Sequence, residues 1–361
     1  MADKDPLADI RKRIDEIDTS IQSLVSERAQ CAAKVAEIKQ QLGESGHFYR
    51  PEREAQVLKA VKERNKGPLS DKAIAGIFRE IMAACLALEK PLKVAFLGPE
   101  GTYTHSASIK HFGSHFEGEP VDNIEEVFRL VEADGANFGV VPVENSTEGV
   151  INHTLDLLMR SSLSISGEVE LRIRHNLISS ETELARIECV YSHQQSFAQC
   201  RLWLDKYLPN AQRIATNSNA EAVQMAREHK HSAAIAGIQA AELYDVPVLK
   251  SNIEDEPDNT TRFVVIGKHQ SPPSGNDRTS LLVFAHNRPG SLYGLLEPLA
   301  KRNISMSNIE SRPSRKGVWE YVFFIDVDGH RDDENISQAI SDIEKASAMV
   351  TVLGSYPKAA L

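Results

Sequence analysis

The chain has 361 residues, 41% hydrophobic and 25% charged, the make-up of a folded protein with room for two or three domains. Its 41 basic and 51 acidic residues leave a net charge of −10. That balance argues against nucleic acid or an anionic membrane as partner, and leaves small anions as ligands for local Arg and Lys clusters. Met1 to Pro6 holds no apolar signal region and no later segment is apolar for long enough to span a bilayer, so the cytoplasm is the expected compartment.

From Leu7 to Leu42 the apolar residues Leu7, Ile10, Ile14, Ile17, Ile21, Leu24, Val35, Ile38 and Leu42, with Cys31, keep a heptad spacing, which predicts one helix about 50 Å long. A domain of some ninety residues cannot cover a stripe of that length, so a second copy of the chain is expected to supply the partner surface. Arg28 interrupts the stripe. At about 100° per residue Lys39 falls within roughly 20° of Arg28, whereas Arg11 lies roughly 100° away and is expected to point into a different cavity. Loop residues Gly43 to Gly46 end the helix, Arg50-Pro51-Glu52 opens a second, and Ser70 caps a third that runs to the boundary at Lys90-Pro91.

Beyond Leu92 short apolar runs alternate with helical stretches: Val94 to Leu97, Gly139 to Val143, Glu188 to Tyr191 and Ala233 to Ala236. This is an α/β pattern, in which ligands gather where strand ends meet helix amino termini. Phe263 to Gly267 has the β-branched content of a buried strand, and Asn259-Thr260-Thr261-Arg262 stands at its entrance. Two readings of Arg262 stand: a bidentate clamp on a small dianion, or a structural ion pair beside a polar turn. Lys268 to Asp277 reads as a linker. A small domain follows, with strands expected over Thr279 to Phe284, Val318 to Val327 and Met349 to Leu353, helices over Gly290 to Arg302 and Asp333 to Ala346, and a ferredoxin-like βαββαβ order. Cys31, Cys85, Cys189 and Cys200 lack metal-ligand spacing and are expected to be reduced and mostly buried. His111 and His115 stand at helical spacing without a third ligand, so no metal is expected and no cofactor is implied.

Three resemblances attach to these segments. Residues 6 to 90 resemble the all-helical chorismate mutases, and this likeness implies that Arg11 from a partner subunit, Arg28, Lys39 and Arg53 are the cationic residues of a shared site. It places Glu54 on the substrate hydroxyl, Glu89 near the ether oxygen where many members have glutamine, and Arg50 where some members have an acidic residue. Residues 92 to 268 carry Gly98-Pro99-Glu100-Gly101-Thr102, Pro142-Val143-Glu144-Asn145-Ser146, Ser192-His193-Gln194-Gln195 with Gln199-Cys200, and Asn259-Thr260-Thr261-Arg262-Phe263 in family order, and resemble the prephenate dehydratases. That family's two α/β lobes, similar to solute-binding proteins, imply a cleft site. Here the first lobe is expected over 92–167 plus 247–268, and the substrate-binding set is Thr102, Glu144, Asn145, Ser146, Ser192, Gln195, Thr261, Arg262 and Phe263. Residues 279 to 357, with Gly290-Ser291-Leu292-Tyr293 and Glu310-Ser311-Arg312-Pro313, resemble the ACT regulatory domains, which implies an interface site for phenylalanine.

The resemblances together imply an enzyme that rearranges chorismate to prephenate and converts prephenate to phenylpyruvate, inhibited by phenylalanine and built as a homodimer or larger homo-oligomer. In the mutase, Arg11, Arg28 and Arg53 are expected to hold the two carboxylates while Lys39 and a protonated Glu89 face the ether oxygen. In the dehydratase, Arg262 is expected on the pyruvyl carboxylate and Thr261 on the leaving hydroxyl. The rival class is a small-anion sensor without catalysis, which the chemistry-bearing motifs in both halves disfavour.

Overall fold

The heptad stripe becomes a single helix, α1 (Pro6–Gln41). In the computed structural model, which describes residues 6–42, 49–89, 91–286, 288–313 and 321–359, that stripe is left uncovered: Leu7, Ile10, Ile14, Ile17, Ile21 and Leu24 are 42–64% exposed. Cys31 also faces outward, contrary to expectation, because it belongs to the same face; Cys85 and Cys200 are buried and Cys189 is half-buried. The helix α2 (Pro51–Arg64) starts on its proline, and α3 (Asp71–Ala87) is capped by the Ser70 hydroxyl, which accepts from the Ala73 amide at 3.2 Å. Buried Leu58, Val61 and Ala75 seal these two helices together, and buried Ala36 marks where the last part of α1 joins them. The loop expected over Gly43 to Gly46, Lys90 and Val318 to Glu320 lie outside the described residues.

The chain then alternates as β1 (Lys93–Leu97), α4 (Tyr103–Phe112), β2 (Glu117–Val121), α5 (Ile124–Glu132), β3 (Phe138–Asn145), the short β4 (Gly149–Val150), α6 (Asn152–Leu158) and β5 (Ser164–Arg172). It crosses into a second lobe made of β6 (Asn176–Ile178), β7 (Cys189–His193), α7 (Gln194–Gln199), α8 (Arg201–Tyr207), β8 (Gln212–Thr216), α9 (Asn219–Glu228), β9 (Ser232–Ala236), α10 (Ile238–Tyr244) and β10 (Val248–Lys250), and returns as β11 (Thr260–Gly267). The first sheet is ordered β2-β1-β3-β11-β5 and the second β10-β6-β9-β7-β8. The lobe boundaries therefore differ from expectation. β5 carries the first lobe to Arg172 rather than residue 167, and β10 pairs with β6, so residues 248–250 belong to the second lobe. The two crossovers lie side by side, with Ile173 N donating to Asn259 O and Ile253 N to His175 O, each at 2.8 Å.

The stretch read as a linker is seated rather than free. Ser271 is buried, its hydroxyl donates to Ser166 O, and its carbonyl lies 2.9 Å from His330 Nε2. Beyond it come β12 (Asp277–Phe284), α11 (Ser291–Lys301), β13 (Met306–Pro313), β14 (Tyr321–Asp328), α12 (Glu334–Ala346) and β15 (Met349–Pro357). The order β13-β14-β12-β15, all antiparallel, is the ferredoxin-like sheet, and β13 is the strand that polar Ser307, Asn308, Glu310 and Ser311 concealed from a periodicity reading. Leu281, Val283, Leu295 and Ile343 form the core under its helices. On the other face, Leu282, Phe324, Leu353 and Tyr356 share one apolar cluster with Val141, Leu155, Val264 and Ile266 of the first lobe. Gly354 lets β15 approach β5 closely: a Cβ there would stand 2.0 Å from the Ile165 carbonyl oxygen.

Candidate active sites

Two hollows gather the chemistry-bearing residues. The first, about 690 Å³, lies among the helices and is lined by Arg28, Lys39, Arg50, Arg53, Glu54 and Glu89, with Glu52, Met82 and Leu86. Arg28 and Lys39 share it because they lie on one face of α1. Arg11 is exposed and does not line it. Glu89 is raised above the ordinary carboxyl range by burial, with Lys39 pulling the other way, and its Oε2 is shielded with no hydrogen-bond partner among the described residues. Glu54 forms the wall towards the α/β part of the molecule. Its Oε1 accepts from Arg79 Nε at 3.0 Å, and Arg79 Nη1 donates to the Lys110 carbonyl of α4 at 2.6 Å. Burial raises the Glu54 carboxyl, while Arg79 and the Tyr49 hydroxyl hold it down. Tyr49 in turn stands 3.1 Å from Nε2 of His111, an imidazole that burial and Arg79 lower to about 3. His111 is thus held by Tyr49, and among the described residues no group of three or more His, Cys, Asp or Glu is arranged for a metal.

The second hollow, about 980 Å³, is the cleft between the two lobes, where Thr102, Asn145, Gln195, Thr261 and Phe263 meet. Asn145 organises it. Its Oδ1 accepts from the Thr147 and Glu148 amides at 3.0 and 3.1 Å, which fixes the orientation of the carboxamide. Nδ2 must then donate, to Asn259 Oδ1 and to Thr261 Oγ1, both at 2.8 Å. A threonine oxygen that accepts from Asn145 keeps its own proton to offer into the cleft. The amino termini of α4 and α9 also open here, capped by Thr102 and Ser218. Among the described residues the lining holds no Arg and no Lys, and its carboxylates are Asp122 and Glu221. An anion here is met by backbone N–H groups, hydroxyls and amides.

Arg262 is the main correction. Successive side chains of a strand point to opposite faces, so a strand that turns Thr261 and Phe263 into the cleft turns Arg262 away from it. Its guanidinium binds Glu168 at 3.0 Å, Asp326 at 2.6 Å and the Tyr356 hydroxyl at 2.9 Å. Burial alone would lower its pKa; Tyr356, Asp326 and Glu168 override that and keep it protonated. Arg262 sits in an ion pair, with Glu168 from its own lobe and Asp326 and Tyr356 from the C-terminal domain. Glu144 misses the cleft for the same parity reason and sits beside Arg262. Ser146 is exposed, its hydroxyl accepting from the Thr260 amide at 2.9 Å, whereas Ser192 is fully buried, donating to Asn219 Oδ1 at 3.1 Å; neither lines the cleft.

The cleft also holds residues outside the expected set. Tyr103 Oη lies 2.9 Å from His175 Nδ1, His175 Nε2 lies 2.7 Å from Gln199 Oε1, and Gln199 Nε2 donates to Glu148 at 2.9 Å. The Glu148 carboxylate fixes the Gln199 amide, which puts the His175 proton on Nε2 and leaves Nδ1 as an acceptor that competes for the Tyr103 proton with the Arg174 carbonyl, 2.8 Å from the same hydroxyl. Burial lowers the His175 pKa, so the ring is neutral. Gln199 stood in a quoted motif, but His175 lies at a crossover where neither period of two nor of 3.6 applies. In the small domain Gly290 adopts a φ of 81° at the start of α11, with Leu292 and Tyr293 exposed. Arg312 instead turns to α6, binding Asp156 at 2.7 Å and contacting Asn152.

These features define a fusion of a helical site rich in cations, a two-lobed cleft poor in them, and a ferredoxin-like domain sharing a core with the first lobe. The family models agree segment by segment: chorismate mutase type II over residues 10–90, prephenate dehydratase over 94–271 and the ACT domain over 279–345. A bifunctional chorismate mutase/prephenate dehydratase of Pseudomonas aeruginosa is 52% identical over the full length of both chains, and one of Stutzerimonas stutzeri 51% identical over the same extent. The crystal structure of prephenate dehydratase from Arthrobacter aurescens in complex with L-Phe covers 74% of this chain and 90% of its own, with 33% identity and a TM-score of 0.68. The chain belongs to the family of bifunctional chorismate mutase/prephenate dehydratases and is an enzyme with both activities.

Proposed function

We propose that the helical hollow rearranges chorismate with Arg28 and Arg53 on the carboxylates, Lys39 and neutral Glu89 at the ether oxygen, and Glu54 on the ring hydroxyl. A Claisen rearrangement forms and breaks its bonds in one step, so the protein has to hold a compact conformer and stabilise charge developing on oxygen. The uncovered stripe of α1 supports a homodimer, in which Arg11 of the partner subunit reaches this site.

In the cleft, prephenate loses its ring carboxylate as CO2 while the C4–O bond breaks and the hydroxyl takes up one proton to leave as water. The electrons of the C–CO2 bond enter the ring, which becomes aromatic in phenylpyruvate. Thr261, its oxygen held by Asn145, donates a hydrogen bond to the departing hydroxyl, the proton that completes the water being drawn from solvent, and the helix amino termini hold the pyruvyl carboxylate. The observation that carries this reading is the absence of Arg and Lys from the described lining. A cation on the departing carboxylate would stabilise it more in the ground state than in the transition state, where its charge is being lost. The ACT resemblance and the L-Phe of the Arthrobacter relative support phenylalanine as the inhibitor, acting at the Gly290–Tyr293 and Glu310–Pro313 segments. To test the cleft assignment, chorismate is supplied to wild type and Thr261→Val, and prephenate and phenylpyruvate are followed with and without phenylalanine. Prephenate should accumulate in the variant at an unchanged rate, and wild-type phenylpyruvate formation by Thr261→Val would sink the assignment.

A further inference from the structure

Arg262 sits next to Thr261 in sequence and on the opposite face of the sheet. Its partners come from both sides of a domain contact. Glu168 lies on β5 of the first lobe, whereas Asp326 and Tyr356 lie on β14 and β15 of the ACT domain. The set is closed by further bonds: Ser280 Oγ to Asp326 Oδ1 at 2.5 Å, Ser280 to Tyr356 Oη at 2.7 Å, and Arg278 Nη1 to Glu168 Oε2 at 2.5 Å. Two guanidinium groups face two carboxylates, so the cluster is neutral. Glu168, Asp326, Ser280 and Tyr356 are all buried, within an otherwise apolar contact between the two sheets. Next to Arg262 the register of β11 against β3 slips, Arg262 facing Glu144 and Phe263 facing Pro142, so the regular ladder does not pin the strand on that side.

We infer that Arg262 is a positioning residue of the dehydratase site, through which the ACT domain sets where Thr261 stands. A guanidinium buried between carboxylates cannot let go without stranding charges in an apolar contact. A shift of the ACT sheet therefore pulls on the guanidinium, and the stem of Arg262 passes that pull to the backbone of β11. Thr261 is the next residue, and a hydrogen-bond donor acts only within a few tenths of an ångström of its place. The Arg262 side chain touches no substrate and works through its neighbour. This inference rests on the reading of Thr261 as the residue that holds the leaving hydroxyl.

The test uses the full chain with Arg262→Gln, Arg262→Lys, Asp326→Asn and Tyr356→Phe, measuring dehydratase kcat and KM, mutase rate, and the ratio of dehydratase rates without and with phenylalanine. For Arg262→Gln and Asp326→Asn, kcat should fall by about tenfold with KM within about twofold, and the phenylalanine ratio should shrink towards one. Arg262→Lys should recover part of kcat, since it keeps the charge. Tyr356→Phe removes one hydroxyl from the cluster and should weaken the phenylalanine response with the smallest loss of kcat. An unchanged Tm shows that each variant folded, and an unchanged mutase rate that the helical site is intact. If Arg262→Gln proves unstable, Asp326→Asn and Tyr356→Phe carry the test without touching the catalytic strand. A raised KM at normal kcat in Arg262→Gln would mean direct substrate binding and overturn the inference, as would a full phenylalanine response in both Asp326→Asn and Tyr356→Phe. Full dehydratase activity in Thr261→Val is the separate result that removes the underlying reading.

Discussion

Replacing Arg79 with glutamine should unsettle the mutase site from outside it. The Arg79 and Glu54 side chains are 10% and 16% exposed, so their 3.0 Å pair is little screened by solvent. Breaking a pair of this kind costs about 3–5 kcal/mol, and the remaining Tyr49 hydroxyl on Glu54 puts the expectation near 3 kcal/mol. The sign with pH follows from the direction of the shift. Burial already raises the Glu54 carboxyl, and loss of Arg79 raises it further, so in the variant folding favours the protonated form. A carboxyl raised by folding contributes stability that is fully present below its unfolded pKa and is lost as pH rises through the folded value. The destabilisation by Arg79→Gln should therefore be smallest near pH 5 and grow towards pH 8. Calorimetric unfolding of the full chain at both pH values measures it, and Glu54→Gln with Arg79→Gln closes the cycle, the double variant recovering most of the loss. A cost below about 1 kcal/mol, or one that does not change with pH, would refute the reasoning.

Three further outcomes are expected. Mutase kcat should fall as pH rises through the raised pKa of Glu89, and Glu89→Gln, which donates at every pH, should flatten that limb; an unchanged limb in a plot of kcat against pH removes Glu89 from the mechanism. Mixed dimers of Arg11→Ala and Arg28→Ala chains should regain one intact mutase site each, read as activity recovered on mixing two inactive proteins. Gly354→Ala drives a methyl to 2.0 Å from the Ile165 carbonyl oxygen and must push β15 from β5, a cost of about 1–3 kcal/mol that should appear as a lower Tm.

Much of the architecture was legible because it rests on periodicity. The heptad stripe is α1, and Arg28 and Lys39, which the helical offset puts on one face, line one hollow that Arg11 does not line. What failed were questions of parity and of tertiary partners. The dehydratase resemblance groups Arg262 and Glu144 with Thr261 and Asn145 because they share motifs, yet neighbours on a strand face opposite ways. The partners that draw Arg262 away, Asp326 and Tyr356, lie 64 and 94 residues further on, beyond the reach of any local pattern. β13 was hidden because a strand with polar residues on both faces shows no alternation. Tyr103, His175 and Gln199 meet only because the chain crosses between the lobes beside them.

α4 gives the molecule an unexpected unit of exchange. It is ten residues long, and its first turn, with Thr102 and Tyr103, belongs to the dehydratase cleft. Its last turn belongs to the mutase, through the Lys110 carbonyl on Arg79 and His111 on Tyr49. Just beyond it Gly113, at a φ of 76°, admits Ala83 so closely that an added Cβ would stand 2.6 Å from that methyl. The composition breaks at Lys90-Pro91, and that is where a chimera would naturally be cut. A mutase segment grafted there onto a foreign dehydratase would bring Glu54 and Arg79 but leave behind the carbonyl that aims Arg79 and the glycine that makes room for Ala83. Exchange between relatives should succeed when the segment through Gly113 travels with the mutase helices, and the cost of that choice falls on the cleft, which then receives a foreign Thr102 and Tyr103.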